Sequence, residues 1–244
     1  MILYANGCSH TAAAEAVVPD VFAVDDGRNG IDRRPHPKNL AASWCSHMAQ
    51  ALNADLICDA ESGSSNARMI RTTKAWVESN AEKLSETLMI IQWTTWEREE
   101  WLHNGTWFQV NASGLDWVPS ALQNRYKNFI ANIDWDQCTA QAHQDAWDLH
   151  EHLNNAGVNH VFFSGHSTFS DIPNQNQRNW GSSYMHPYQR NQSYHNWLLE
   201  NGGCYANPQS YHFDAASHRL WAQHVLQYIN RNQILAPKHE ILVD

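Results

Sequence analysis

Positive charge is scarce in this chain. Lys and Arg number 16 against 25 Asp and Glu in 244 residues, for a formal net charge of -9, and the one adjacent basic pair is Arg33-Arg34. Phosphate backbones and anionic bilayers are held by clustered cations, so neither nucleic acid nor a membrane surface is an expected partner. Cysteine is also sparse: Cys8, Cys45, Cys58, Cys138 and Cys204 are an odd number, dispersed, without a C-x-x-C pair. That spacing argues against a disulfide framework and against a thiolate zinc site, and favours free thiols in a reducing compartment. Long apolar runs are missing, and "MILYANG" has neither the basic flank nor the length of a targeting segment, so the expected location is cytoplasmic. Charged residues make up only 17% while hydrophobic residues reach 43%. A globular fold with a surface rich in Asn, Gln, Ser and His follows.

The apolar residues that are present alternate between short runs and longer periodic stretches. "MILYAN", "ADLICDA", "TLMIIQW" and "HVFFSG" read as strands, the third so continuously apolar that both its faces should be buried. Between them, Leu40, Trp44, Met48 and Leu52 fall at fourfold spacing within one expected helix. Ala67 to Glu82 reads as a second helix with Asn66 as its cap, and Leu122 to Leu153 as one or two more. "SYHNWLLEN" reads as a short helix stopped by Gly202-Gly203. "SHRLWAQHVLQYIN" reads as an amphipathic terminal helix with Leu220, Val225 and Ile229 inward. Residues 95–120 and 166–192 read as long irregular loops, and nothing marks an inter-domain linker. Strand and helix in alternation predict one domain over 1–244, a parallel sheet covered on both faces.

In such a sheet the loops after the strands gather at one edge, where ligands bind. "GCSH", "SGSSN", "TTWER" and "HSTFSD" therefore converge. Ser9 is a nucleophile only if a base takes its proton, and the base offered by the sequence is a His in "PQSYHFDAASHRLWA". Small residues around Ser9 let backbone N–H groups face a developing oxyanion, and Gly63 lets the next loop approach a ligand closely.

The blocks resemble those of the SGNH (GDSL-type) hydrolases. "GCSHT" stands at the nucleophile block, "SGSSNAR" at the second with Gly63 as its Gly, "IIQWTTWERE" at the third, and "YHFDAASHRLWAQHVLQYI" at the last. The resemblance implies a three-layer α/β/α, flavodoxin-like fold and an esterase with Ser9 as nucleophile and His212 as general base. His218, by the same register, starts the terminal helix in a structural role. Oxyanion or supporting roles fall to Gly63, Asn66, Thr94 and Asp214. Asp214 is open to two roles, capping the last helix or touching the base. Cys8 replaces the family's Asp, Gln209 stands where the triad acid is expected, and Gln92, Thr94 and Thr95 stand where the third block has Gly and Asn. A non-catalytic binding or assembly protein of the same fold is the alternative these departures favour. A pairing of Cys8 with His212 or His10 is a further alternative.

No cofactor is implied. Metal ligation is not expected either, because His143, His150 and His152 lack the i, i+4 pairing of helical zinc sites. Arg98 between Glu97 and Glu99 reads as a solvated run or as a clamp on an anionic substrate. Trp96, Trp101, Trp107 and Trp117 in the polar 95–120 stretch, with Asn and Gln nearby, suggest a small-molecule or glycan ester as substrate. A homo-oligomer or an assembly partner is left open.

Overall fold

Ile2–Asn6 (β1) buries nearly every residue, Asp55–Cys58 (β2) pairs along one side of it, and Thr87–Trp93 (β3) along the other, fully buried. The computed structural model describes residues 1–24, 33–112, 114–115 and 118–235. Trp117 and the tail after Pro237 lie outside them. Beyond β3 come an antiparallel hairpin, Glu99–His103 (β4) with Thr106–Val110 (β5), then the parallel strands Asn159–Ser164 (β6) and Tyr184–Met185 (β7). A small hairpin of Tyr205–Asn207 (β8) and His212–Phe213 (β9) follows. The central sheet has the order β2-β1-β3-β6-β7 and every pairing in it is parallel.

The helices are Pro37–Ala41 (α1), Trp44–Ala51 (α2), Asn66–Ser79 (α3), Gln123–Ala131 (α4), Trp135–Asn155 (α5), Tyr194–Glu200 (α6) and Ala215–Arg231 (α7). Successive strand residues point to opposite faces, and the core divides accordingly. Leu3, Ala5, Leu88, Ile90, Val161 and Phe163 join side chains of α2, α6 and α7. Tyr4, Met89, Ile91 and Phe162 join side chains of α3 and α5. Among the described residues no helix is long and apolar enough to cross a membrane.

Several sequence expectations are revised. The fourfold spacing at Leu40, Trp44, Met48 and Leu52 spans two helices, because Ser43 caps α2 by accepting from the Ser46 N–H at 3.1 Å and so ends the preceding turn. The cap of α3 is Ser65, which accepts from the Arg68 N–H, and Asn66 is its first residue. Within the stretch 95–120, residues 99–110 form the hairpin, whose Asn104-Gly105 corner has φ of 50° and 78°. Both residues in the left-handed region give the tight two-residue turn that matches strand twist. Trp101, Val110, Val118 and Tyr126 pack as a separate cluster beneath it. The second long loop hides β7, too short to show a period. In α7, Trp221, Val225, Leu226 and Ile229 are buried, while Leu220 is only partly so.

Candidate functional site at the carboxyl edge of the sheet

β1 ends at Asn6, a buried side chain that ties the strand to α3. Its Nδ2 lies 2.8 Å from Thr72 Oγ1 and 3.1 Å from Thr73 Oγ1, and its Oδ1 accepts from the Gly7 N–H at 2.8 Å. The chain then coils tightly: the Thr11 and Ala12 N–H groups donate to the Cys8 carbonyl, and Ala14 N–H to Ser9. Gln92, at the end of β3, supports this turn. Its Oε1 accepts from Thr11 Oγ1 at 2.9 Å and its Nε2 donates to the Trp93 carbonyl at 3.1 Å. Gln92 is therefore a strut under the Ser9 turn. A Cβ on Gly165 would stand 2.3 Å from Gln92 Nε2 and 2.8 Å from the Trp93 carbonyl oxygen. Gly165→Ala is expected to cost about 1–3 kcal/mol by overpacking, read as a lower midpoint in urea unfolding; an unchanged midpoint would show that the strut is not tightly held.

Ser9 is 7% exposed and its hydroxyl lies 4.0 Å from Cys8 Sγ. Cys8 is fully buried, its Sγ 3.4 Å from Gln92 Oε1. On the opposite wall β9 carries His212. Its Nδ1–H donates to Glu15 Oε2 at 2.5 Å, on the same turn as Ser9. Glu15 also accepts from Asn207 Nδ2 at 2.7 Å and from the Ser210 hydroxyl. The carboxylate that meets His212 thus comes from the same turn as Ser9. Gln209, exposed, donates its backbone N–H to Asn207.

The electrostatics follow from this arrangement. Burial pushes Glu15 up, but the hydrogen bonds from Ser210, Asn207 and His212 outweigh it, so its carboxyl is held below the ordinary range. For His212, burial lowers the pKa more than Glu15 raises it, with Arg98 adding to the lowering. The ring is neutral at pH 7, protonated on Nδ1 by the demand of an acceptor-only carboxylate, so that Nε2 is the basic atom. Ala13, Glu15 and Tyr211 have φ of 51°, 63° and 59°. These left-handed non-glycine residues flank the Glu15–His212 contact, where local strain is held by the surrounding hydrogen bonds.

The His10 ring, next to Ser9, lies 5.6 Å from the His212 ring, centre to centre, and its Nε2 is 2.6 Å from His166 Nε2. The His166 and His195 rings are 4.4 Å apart. Burial lowers His10 well below the ordinary value and His166 to about 3, each helped by neighbouring imidazoles and Arg98. Among the described residues, no group of three or more His, Cys, Asp and Glu side chains is placed to hold a metal ion.

The supporting residues fall in different places. Asn66 Oδ1 accepts from the Thr94 N–H at 2.9 Å, and its Nδ2 is 3.5 Å from the Thr95 carbonyl, so Asn66 and Thr94 lie together at the ends of α3 and β3. The Thr94 hydroxyl is buried without a hydrogen-bond partner among the described residues. Gly63 has φ 84° and open space where a Cβ would be. Arg98 reaches the Ser64 carbonyl at 3.5 Å. Asp214 caps α7, accepting from the Ser217 N–H at 2.8 Å and hydroxyl at 2.7 Å. Of its two open roles, capping is the one these contacts supply. His218, 1% exposed, accepts from the Trp44 N–H through Nδ1. Trp96 and Trp101 are buried, so they do not offer open faces to a ligand.

Glu15 and His166 have no assigned role in the sequence, where His10 stands only as a partner for Cys8. The signal for Glu15 was its being the first carboxylate in the chain, six residues after Ser9 on a turn of small residues. Compared with known proteins, the chain matches no family model and no curated protein.

Proposed function

We propose that the protein is a serine ester hydrolase of the SGNH type, with Ser9 as nucleophile, His212 as base and Glu15 as the acid that orients the base. The three-layer, flavodoxin-like arrangement belongs to this reading. It is supported by the all-parallel order β2-β1-β3-β6-β7 and by separate apolar clusters built from alternate strand residues. The observation that carries the proposal is the 2.5 Å contact from His212 Nδ1 to Glu15 Oε2, which joins a terminal histidine to the turn that bears Ser9.

The chemistry follows in balanced steps. Ser9 Oγ attacks the acyl carbonyl as its proton passes to His212 Nε2, and the carbonyl electron pair moves to oxygen. The Ser9 and Gly63 N–H groups, which donate to no other described residue, are the proposed donors to that oxyanion, with Asn66 Nδ2 beside them. Collapse breaks the ester C–O bond, and the alcohol leaves with the proton from His212. Water, deprotonated by the same ring, then releases the acid from Ser9. Substrates are expected to be small acyl esters, including those of sugars.

The 4.0 Å approach of Ser9 Oγ to Cys8 Sγ, with no hydrogen bond from Ser9 to His212, favours the second reading, a non-catalytic binding or assembly protein. Intact-mass analysis after exposure to a fluorophosphonate separates the two. The enzyme reading expects one covalent adduct on the wild type and none on Ser9→Ala. Equal labelling of both, or of neither, overturns it.

A further inference from the structure

A cleft of about 700 Å³ has His166 and Trp135 in its lining. Its volume lies in the range of small-ligand sites, about 300–1,000 Å³. His166 Nε2 is 2.6 Å from His10 Nε2, and His10 is next to Ser9 in the chain, so the His166 wall of the cleft adjoins the turn that bears Ser9. We propose that this cleft binds a neutral oligosaccharide and presents an acyl group on it to Ser9, an inference that rests on the esterase reading for its second half only.

Two features of the lining select that ligand. Trp135 begins α5 with 55% of its surface exposed, an open indole face at the mouth of the cleft. The C–H face of a pyranose is apolar and fits such a surface, while its rim of hydroxyls needs donors and acceptors together. Asp171 and Arg190 supply both, a carboxylate and a guanidinium 3.6 Å apart and largely open to solvent. Arg190 offsets Asp171, and Asp136, also in the lining, leaves the cleft one negative charge in excess, which disfavours an anionic glycan. Asn176 adds an amide that can both donate and accept. An acyl chain in the same space would leave these polar groups desolvated and unpaired.

Binding is measured by calorimetry on Ser9→Ala protein, so that hydrolysis plays no part, with xylotetraose and chitotetraose as probes. Saturable binding of at least one, weakened 10-fold or more in Ser9→Ala/Trp135→Ala and largely retained with Trp135→Phe, is the expected result. Equal thermal midpoints for the three proteins exclude a folding defect, and an Ala variant that fails this check is replaced by Trp135→Gln. Binding of neither tetrasaccharide, or binding indifferent to position 135, overturns the proposal. Hydrolysis of 4-nitrophenyl acetate by the wild type is read in parallel. Sugar binding without hydrolysis would sink the esterase and leave the cleft assignment, and hydrolysis without sugar binding would do the reverse.

Discussion

Glu15→Gln is expected to slow hydrolysis of 4-nitrophenyl acetate by about 10⁴-fold in kcat, the scale on which loss of the orienting acid acts in serine triads. The substitution keeps the size of the side chain but allows an amide N–H to face His212 Nδ1. The ring then carries its proton on Nε2, where it must be free to accept one from Ser9. Glu15 also raises the His212 pKa against the effect of burial. The acid limb of the variant's pH–rate profile therefore shifts downward relative to wild type, a change that a general loosening of the fold would not produce. Glu15→Asp, which keeps the charge on a shorter stem, should recover part of the rate. A Gln variant within threefold of wild type, with the same acid limb, would remove Glu15 from the mechanism.

The second large effect is on stability in acid. His10, His160 and His218 are 5%, 2% and 1% exposed. Burial lowers the pKa of all three, to about 4 for His160, to about 3 for His218 and well below the ordinary value for His10. In the unfolded chain each takes up a proton near pH 6.5, so below that pH the unfolded state binds more protons than the folded one. The stability these rings contribute is complete above about pH 6.5 and is lost as the pH falls toward their folded values. At pH 5 the loss is about 2 kcal/mol each for His160 and His218, with His10 acting in the same direction, from 1.36 kcal/mol per unit. A domain's total stability is about 5–15 kcal/mol, so the urea midpoint should fall steeply between pH 7.5 and pH 5. A midpoint constant across that range would mean that these rings are solvated or paired with acids.

The parts of the fold legible in the sequence are those set by local pattern. Leu88 to Ile91 form a continuous apolar run, and the strand they announce is buried throughout. The terminal helix is equally plain, with Val225 and Ile229 inward. Local pattern failed where a single polar residue decided the outcome. The hydroxyl of Ser43 divides an apolar stripe into two helices, and Asn104-Gly105 builds a hairpin in a stretch whose period is weak. It failed more completely where pairing is remote: Tyr184 and Met185 become a strand only beside Phe162 and Phe163. The site divides the same way. Ser9 and His212 stand out by block order, whereas Glu15 meets His212 across 197 residues, a contact with no expression in spacing. Open indole faces were expected in residues 95–120, yet Trp96 and Trp101 serve as core and Trp135 is the exposed ring.

Of the proposed triad, Glu15 and Ser9 ride on one coil of backbone, and only His212, on the β8–β9 hairpin, comes from elsewhere. Assembly of the reactive group then reduces to a single docking event. Lifting that hairpin by a few ångströms would disarm nucleophile, base and acid in one motion. Cross-linking it to the first turn would be the most direct way to lock the molecule in its armed form.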